Sequence, residues 1–354
     1  MKTLDAVGLL DPICSNGYRF QKLTFRNNQH QYLDAYEVGN RKLYGHDSFR
    51  VYRQDILSTL REKVQETGIS IVYSQRFSHV VCETDENVTF AFVDGSQQTT
   101  NILIGADGIH SAVRGYLCPE IQPVWSKMVA IFCTAPVTAV KFPFDAYKTE
   151  MPVSVHGSAG AVHIAPQNRD GSEVMIAINW PTDERSREGW DEFEKDKERL
   201  RDIMLAGNSW NMVVQTAINA APLETFSIWP FYTVPKLNQW SSKRGKVLVI
   251  GDAAHAIPPT GGQGLNQGLE DVLSLSLILA AIRKKKVQLR NSLDWWQDMR
   301  QQRIDRVIEL AREISARRRP GWTGENAESI DSSWLFNVDI PQIVKKWEQD
   351  QSGN

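Results

Sequence analysis

A run of glycines and prolines after Asp252 has the composition of a ligand-binding turn. It lies in the segment Lys246–Asp271, KVLVIGDAAHAIPPTGGQGLNQGLED. The first residues of this segment are continuously apolar, which predicts a buried strand with Asp252 at its C-terminal end. In open α/β sheets ligands bind outside the carboxyl ends of the strands, and a carboxylate there can accept hydrogen bonds from sugar or ribityl hydroxyls. The pattern therefore makes Asp252 a candidate ligand-binding residue.

The loop after this strand could let the backbone approach a flat ligand. Pro258–Pro259 fix an extended backbone, and Gly261, Gly262 and Gly264 have no side chain to hold a ring away. The helix predicted to begin near Leu265 would point free N–H groups and the positive end of its dipole at the ligand, which favours a developing negative charge. The alternative is a glycine-rich connector between a strand and a helix. The complete string favours the binding interpretation.

A second segment, Ile102–Arg114 (ILIGADGIHSAVR), has the same order of strand, turn and helix. Asp107 could cap the predicted helix, or bind a hydroxyl or an ordered water near a pyrophosphate. Arg114 could pair with a phosphate or with Asp107. An isolated Asp-Gly would indicate only a turn, but together with the later string it favours a ligand site.

Arg53 is a third candidate, at the start of a predicted amphipathic helix over residues 53–67. A surface cation and a ligand contact are equally compatible with this position. The apolar residues of the helix fall on one face, and they are Ile56, Leu57, Leu60 and Val64.

Strands and helices alternate at both ends of the chain, which predicts an α/β fold. NILIG (101–105) is continuously apolar, as expected for a parallel strand buried on both faces. The predicted elements are a strand at 69–73, β-hairpin segments at 77–84 and 87–93, a strand at 101–105, and helices at about 265–284 and 292–316.

The middle of the chain, about residues 120–235, has short apolar segments punctuated by Pro, Gly and Asn, which predicts an antiparallel sheet. Within it, residues 190–206 are charge-rich and predicted to be helical. His156 and His163 fall on predicted strands and could face a pocket. A hydrogen-bonded histidine within the sheet is the favoured interpretation for both.

Composition excludes several classes of function. The 354 residues are 42% hydrophobic and 23% charged, typical of a globular protein, and the net charge of −2 provides no general attraction to nucleic acid. The four cysteines form no CxxC pair, which argues against a metal site or a disulfide framework and favours a reducing compartment. The N-terminus has no long apolar region typical of a signal peptide, and the most apolar stretch, Val272–Ile282, is too short to span a bilayer. We therefore expect a cytoplasmic protein without a transmembrane segment.

Together these motifs resemble the group A flavin monooxygenases, the family of p-hydroxybenzoate and salicylate hydroxylases, and among them fungal secondary-metabolite members. GADGIHSAVR is similar to the family's Asp-Gly motif, GDAAHAIPPTGGQGLNQGLED to its Gly-Asp motif, and WWQDMRQQR (295–303) to its aromatic-x-x-x-Arg-x-x-Arg helix. The resemblance runs from residue 4 to about 345.

This resemblance implies a role for each candidate residue. Asp252 would bind the ribityl chain of FAD, and Arg53 the FAD phosphate or ribose. Asp107 and Arg114 would lie near the pyrophosphate and a transient NADPH site. The histidine of the Gly-Asp motif is mostly part of the loop framework in the family, so His255 is only a weak catalytic candidate. The residues implied to lie along the isoalloxazine are Gly262, Gly264, Leu265 and Asn266.

The resemblance also implies a reaction. NADPH would reduce FAD and leave, and dioxygen would form a flavin C4a-hydroperoxide that gives one oxygen atom to an aromatic or a polyketide- or terpenoid-like small molecule.

The implied fold is an FAD-binding, Rossmann-like parallel sheet with an inserted antiparallel β-sheet substrate domain and C-terminal helices. The predicted segments are 1–118 as part of the FAD-binding domain, 119–235 as the substrate domain, 236–318 as the continuation of the FAD-binding domain, and 319–354 as a C-terminal tail.

The family's opening unit, a strand, a G-x-G-x-x-G turn and a helix of roughly 30 residues, is not found in this sequence. Without it FAD would lose contacts to its ADP half, and the parallel sheet would expose strand edges. Three interpretations follow: a truncated form of an active monooxygenase, a natural short form that carries out a flavin-independent cyclisation, isomerisation or pericyclic step, or a non-catalytic binding protein.

Overall fold

The structure is a computed structural model that describes residues 2–158, 160–206, 210–284, 287–319, 321–324 and 330–352. The chain forms two compact units. Unit 1 comprises Met1–Gly68, Lys127–Phe231 and Ile314–Val338, and unit 2 comprises Ile69–Ser126, Tyr232–Glu313 and Asp339–Asn354. Residues 1–68 therefore share a unit with the middle of the chain, whereas the sequence assigned them to the FAD-binding domain. The predicted boundaries at 118, 235 and 318 stay a prediction.

Strands occur along the whole chain up to residue 249. In chain order they are β1 (Tyr18–Phe20), β2 (Lys22–Asn27), β3 (Tyr32–Glu37), β4 (Ser48–Arg50), β5 (Phe77–Glu83), β6 (Val88–Phe92), β7 (Gln97–Thr100), β8 (Leu103–Gly105), β9 (Val124–Pro136), β10 (Val153–Gly157), β11 (Gly160–Pro166), β12 (Glu173–Pro181), β13 (Ser227–Thr233) and β14 (Val247–Val249).

Helices dominate the C-terminal third. In chain order they are α1 (Lys2–Ala6), α2 (Leu10–Cys14), α3 (Arg41–Tyr44), α4 (Arg53–Glu66), α5 (Ala112–Leu117), α6 (Asp145–Thr149), α7 (Arg187–Lys195), α8 (Lys197–Leu205), α9 (Met212–Ala220), α10 (Asp252–His255), α11 (Gly264–Arg283), α12 (Leu289–Ala316), α13 (Ser333–Phe336) and α14 (Ile340–Ser352).

A seven-stranded sheet of order β13-β9-β12-β11-β10-β2-β3 dominates unit 1. Strand β9 pairs antiparallel with β12, β12 with β11, and β11 with β10, as the sequence predicted for this region. Two strands from before residue 40 extend the sheet, because β2 pairs parallel with β10, and β3 pairs antiparallel with β2. The sheet is therefore mixed and includes residues outside the predicted substrate domain.

The two faces of this sheet differ in chemistry. On one face of the sheet the side chains are buried and apolar, among them Ile131, Val155 and Val162. On the other face, most side chains of β9, β11 and β12 are half-buried. Trp210 lies on the buried face, since a Cβ placed on Gly157 would come within 2.8 Å of its ring. This alternation gives unit 1 a core on one face and an accessible surface on the other.

Unit 2 contains a short parallel pair, β8 and β14, in which Leu103 lies opposite Val247 and Gly105 opposite Val249. The predicted hairpins are confirmed as the antiparallel sheet β5-β6-β7. The predicted helices are confirmed as α11 and α12. The fold is thus α/β with C-terminal helices, as the sequence predicted; the parallel sheet of unit 2 is a two-stranded pair among the described residues, and the large sheet is mixed.

Two strand predictions were wrong. Residues 69–73 form no strand, and Ile69, Val72 and Tyr73 are 63%, 70% and 62% exposed. The strand at 101–105 is not buried on both faces, because Ile104 in β8 is 39% exposed. Both apolar patterns are typical of a central strand. In the part of the chain that the structure describes, residues 69–73 pair with no strand, and β8 pairs with β14 on one side only.

The predicted amphipathic helix is confirmed as α4, although none of its residues is fully buried. Helix α11 has the length and apolar composition that crossing a membrane would require. Buried core helices share that property, and α11 carries the buried side chains of Glu270 and Asp271.

We expect the two faces of the sheet in unit 1 to differ in their contribution to stability. Val162→Ala removes two methyl groups from the fully buried face and should lower the free energy of unfolding by about 2 kcal/mol. Thr134→Ala removes a side chain of the same shape from the half-buried face and should cost less than about 1 kcal/mol. Urea unfolding followed by circular dichroism measures both, and equal losses would contradict the assignment of the faces.

Candidate functional site

The Gly-Asp turn in unit 2 begins where strand β14 ends. Val247–Val249 are fully buried, and Gly251 then adopts a φ of +58°, a conformation that favours glycine. The next residue, Asp252, begins the short helix α10, and its exposed carboxylate has no hydrogen-bond partner among the described residues. The Asp252 carboxylate is therefore an exposed hydrogen-bond acceptor on unit 2, close to the C-terminal end of β14.

The loop after α10 is packed on one side and open on the other. Its first turn, Pro259–Gly261, lies against helix α12, where a Cβ placed on Gly261 would come within 3.2 Å of the Ala311 side chain. Gly262 follows with a φ of +64°, and a Cβ placed there would meet no atom within 4 Å. The loop is thus not collapsed onto its neighbours, and its open side is bare backbone.

The N-terminus of helix α11 lies at this open side. The backbone N–H groups of Gly264, Leu265 and Asn266 have no acceptor within the described part of the chain, and Leu265 is 55% exposed. A Cβ placed on Gly264 would lie 3.8 Å from Oδ1 of Asp252, so the carboxylate and the helix end are adjacent. Free donors, bare backbone and a carboxylate acceptor fit the flat ring system and ribityl hydroxyls of a flavin.

His255 faces away from this surface. It is 4% exposed, its Nε2 lies 2.6 Å from Oδ2 of Asp271, and its ring lies 5.1 Å from that of Trp240. The same Asp271 oxygen accepts a hydrogen bond from the backbone N–H of Gly251 at 2.9 Å. His255 therefore connects α10 to α11, as expected for a framework residue.

Two arginines of helix α12 complete this buried network. The Nε of Arg300 donates to Oδ1 of Asp271 at 2.7 Å, and its Nη1 donates to Glu270 at 2.7 Å. Arg303 donates to Glu270 at 2.5 and 2.8 Å. Burial alone would raise the pKa of Asp271, but the charges and hydrogen bonds of His255 and Arg300 outweigh it and lower the pKa. The carboxylate thus stays ionised in the interior.

Asp107 is used as a helix cap. Its Oδ2 accepts from the backbone N–H groups of Ala112 and Val113 at 2.8 and 3.2 Å, and its Oδ1 accepts from the hydroxyl of Ser111 at 2.5 Å. Capping was one of the two interpretations open at Asp107. A role near a pyrophosphate stays a prediction.

Arg114 joins the two motifs within unit 2. It is 2% exposed, and its guanidinium donates to the carbonyl oxygens of Ala253 at 3.0 Å and Ile109 at 2.7 Å. Its Nε is buried without a partner, and burial lowers its pKa. The structure shows no direct pairing with Asp107, and a contact to phosphate stays a prediction.

Arg53 lies in unit 1 at the first position of α4. Its guanidinium is 3.9 Å from the ring centroid of Trp229, the distance of a cation–π contact. Trp229 is itself 41% exposed, so the pair is accessible from solvent. Whether Arg53 binds a cofactor stays a prediction.

The histidines of the sheet in unit 1 differ from each other. His156 is 5% exposed, lies 3.1 Å from the hydroxyl of Ser154, and has its pKa lowered to about 4 by burial and by the nearby charge of Arg318. His163 is half-buried and makes no hydrogen bond within the described residues. The expectation of a hydrogen-bonded sheet histidine is therefore confirmed for His156 and wrong for His163.

Residues 1–311 match the protein family described as FAD binding domain. The chain belongs to this family. It is 29% identical over 259 residues to the FAD-dependent monooxygenase cctM of Talaromyces islandicus, a match that covers 68% of this chain and 60% of the relative. It is 26% identical over 335 residues to the salicylate hydroxylase of Pseudomonas putida, covering 87% of this chain and 74% of that enzyme. The chain is thus a family member of the p-hydroxybenzoate and salicylate hydroxylase type that spans only part of these relatives.

Solved structures show the same fold. A complex of CtdE with FAD and a substrate superposes with a TM-score of 0.78 at 20% identity, covering 98% of this chain and 84% of that chain. A substrate complex of salicylate hydroxylase gives a TM-score of 0.76 at 20% identity, covering 97% and 87%. The two units of this FAD-binding family member therefore have folds found in FAD-dependent monooxygenases.

The buried network is not predictable from the sequence. Asp271 lies in the Gly-Asp segment and Arg300 in the segment 295–303, both on predicted helices, but no local pattern shows that the two side chains meet. Among the described residues there is no group of three or more His, Cys, Asp or Glu side chains that could hold a metal ion.

Loss of the Asp271 carboxylate should strongly destabilise unit 2. Asp271→Ala leaves Arg300 buried with one charge partner fewer, so we expect a loss of about 3–5 kcal/mol in the free energy of unfolding. Asp294→Ala removes a carboxylate on α12 whose pairing with Arg290 is exposed, and should cost less than about 1 kcal/mol. Chemical denaturation of both variants tests this, and a small loss for Asp271→Ala would refute the importance of the network.

Acidification should destabilise unit 1 through His156. The folded state holds the pKa of His156 at about 4, below its ordinary value of about 6.5 in the unfolded chain, so the unfolded state binds the proton first as pH falls. The resulting loss in the free energy of unfolding is below about 0.5 kcal/mol above pH 6.5 and reaches about 2 kcal/mol at about pH 5. Urea unfolding at several pH values should show this loss in the wild type and in the exposed-site control His79→Asn, but a smaller one in His156→Asn.

Proposed function

We propose that this protein is an FAD-dependent monooxygenase that inserts one oxygen atom from dioxygen into an aromatic or a polyketide- or terpenoid-like small molecule. NADPH is the proposed electron donor. The observation that carries the proposal is the open turn in unit 2, where an unpaired carboxylate, bare glycine backbone and free helix N–H groups lie together. Membership of the FAD-binding family supports the choice of flavin over other flat ligands.

Different residues of unit 2 would contact different parts of FAD. Asp252 would accept hydrogen bonds from the ribityl hydroxyls, and Gly262, Gly264, Leu265 and Asn266 would lie along the isoalloxazine through their backbone. The dipole of α11 favours negative charge at its N-terminus, which would stabilise the reduced ring. When bound, FAD supplies the redox chemistry that transfers electrons from NADPH and activates dioxygen. His255, tied to Asp271, would hold the turn in place and exchange no proton with substrate.

The remaining candidates keep their proposed roles. Arg53, which makes a cation–π contact with Trp229 in unit 1, would contact the FAD phosphate or ribose. Asp107 and Arg114 would lie near the FAD pyrophosphate. Asp107 would hold the N-terminus of α5 in place there, and Arg114 would hold the backbone at Ala253. All four cysteines are free, consistent with a reducing, cytoplasmic location.

The accessible face of the sheet in unit 1 is the proposed substrate surface. Relatives include a salicylate hydroxylase and a 6-hydroxynicotinate 3-monooxygenase, whose names identify aromatic substrates.

Titration with FAD tests the proposed function. We expect the purified chain to retain a flavin absorption band after desalting, and Asp252→Ala to weaken FAD binding about tenfold because one charged acceptor is lost. Asp202→Ala, at a carboxylate 73% exposed elsewhere in the chain, should bind FAD like the wild type. Flavin fluorescence quenching gives the affinities. Colourless wild-type protein that consumes no NADPH would overturn the monooxygenase proposal.

A further inference from the structure

We propose that Arg300 and Arg303 keep the N-terminus of helix α11 electropositive and thereby raise the affinity of the turn in unit 2 for reduced FAD relative to oxidised FAD. Both are positioning residues, because they act through two buried carboxylates of α11. This role rests on the proposed function, since FAD is the ligand whose charge changes at the helix end.

Two acidic side chains lie close to the N-terminus of α11. Gly264 is the first residue of this helix, and Glu270 and Asp271 are the seventh and eighth. Their exposures are 6% and 0%, so little solvent screens their charges. At a rise of about 1.5 Å per residue, Glu270 lies only about 6 Å along the helix axis from the free backbone N–H of Asn266.

These carboxylates alone would reverse the sign of the charge at the helix end. The dipole of a helix is equivalent to roughly half a positive charge at its N-terminus. Two full negative charges within about two turns outweigh that half charge, even though they lie further from the ligand. Without compensation α11 would therefore repel an anion at the turn, despite its free N–H groups.

Helix α12 supplies the compensating charge. Glu270 accepts hydrogen bonds from Nη1 of Arg300 at 2.7 Å and from Nη2 of Arg303 at 2.8 Å. Asp271 accepts from Nε of Arg300 at 2.7 Å. Arg300 also donates to the carbonyl oxygen of Gln267 at 3.1 Å, in the first turn of α11. Two guanidinium groups thus cancel two carboxylates, and the positive end of the dipole remains effective at the turn.

Reduction of FAD would place an anion at this end of the helix. A hydride carries two electrons and a proton, so NADPH and FAD become NADP⁺ and the anion FADH⁻, whose charge is shared by N1 and the C2 carbonyl oxygen. The oxidised ring is neutral. A positive helix end therefore stabilises reduced FAD more than oxidised FAD, and the ratio of the two affinities reports the net charge of the buried cluster.

Arg303 is the member of the cluster best suited to replacement. Its side chain is 11% exposed, against 0% for Arg300, so its loss disturbs packing less. Without its charge the cluster carries one net negative charge about 10 Å from the bound ring. With an effective dielectric constant of about 20, that charge changes the preference for reduced FAD by about tenfold.

Equilibration of the FAD-bound protein with a redox dye of known potential tests the proposal, with flavin absorbance giving the ratio of reduced to oxidised FAD. We expect Arg303→Gln to lower this ratio about tenfold at a fixed dye potential, which is equivalent to about 30 mV for a two-electron couple. Glu270→Gln removes the opposite charge of the same ion pair and should raise the ratio by a similar factor. Arg303→Lys keeps the charge and should restore most of the wild-type ratio.

Arg290→Gln is the matched control. Arg290 lies on the same helix, but its side chain is 43% exposed and pairs with Asp294. Because solvent screens that pair, the wild-type ratio of reduced to oxidised FAD should be retained in this variant.

The opposite signs expected for the two glutamine variants separate charge from structure. Both variants lose the same ion pair, so a structural role alone would shift the ratio in the same direction in both, or in neither. Either result would overturn the proposal, as would equal ratios in Arg303→Gln and Arg303→Lys or an equal shift in Arg290→Gln.

Failure of one variant to fold leaves the test intact. If Glu270→Gln does not fold, the difference between Arg303→Gln and Arg303→Lys decides, and if Arg303→Gln does not fold, the sign of the shift in Glu270→Gln decides. Wild-type protein that retains no FAD would refute the proposed function and this role together. FAD that is retained with an unshifted ratio in the charge variants would refute only the role of the arginines.

Discussion

The carboxylate of Asp271 is the interaction on which the flavin-type turn depends. It is fully buried on α11 and binds the backbone of Gly251, the imidazole of His255 and the guanidinium of Arg300. An ionised group in that environment is tolerated only when its partners are all in place. The three partners come from a strand end, a short helix and a long helix, so satisfying one buried charge fixes the geometry of all three. The base of the turn is therefore held by buried hydrogen bonds, although its exposed side has few contacts of its own.

The alternation of side chains between the two faces of the sheet in unit 1 also fixes the positions of functional residues, but through apolar packing instead of charge pairing. Side chains on neighbouring positions of β9, β11 and β12 point to opposite faces, so one face can be a close-packed core while the other carries His163, Phe132 and Asn179. The core fixes the strand register, and the register fixes which functional side chains are adjacent. The polar face can therefore keep unsatisfied groups that a core would not tolerate.

Local sequence patterns predicted helices and strands correctly where the element forms its backbone hydrogen bonds within a short stretch of chain. The 3.6-residue period gave α4, α11 and α12, and the alternation before Asp94-Gly95 gave the β5-β6-β7 hairpins, because helices and hairpins close their hydrogen bonds within a short stretch of chain. The predictions failed for residues 69–73 and for the two-sided burial of β8, since a central parallel strand depends on neighbours that its own residues do not encode.

By itself the sequence determined the α/β class, the family and the place of the Gly-Asp turn, because those depend on residue types at fixed short spacings. It could not show that Asp271 binds both His255 and Arg300, that Arg114 binds the carbonyl of Ala253, or that Arg50 donates to Gln167 from more than 100 residues away along the chain. Tertiary structure decided these pairings, because the free energy of a buried charge depends on what surrounds it in space, and distant parts of the chain supply those surroundings.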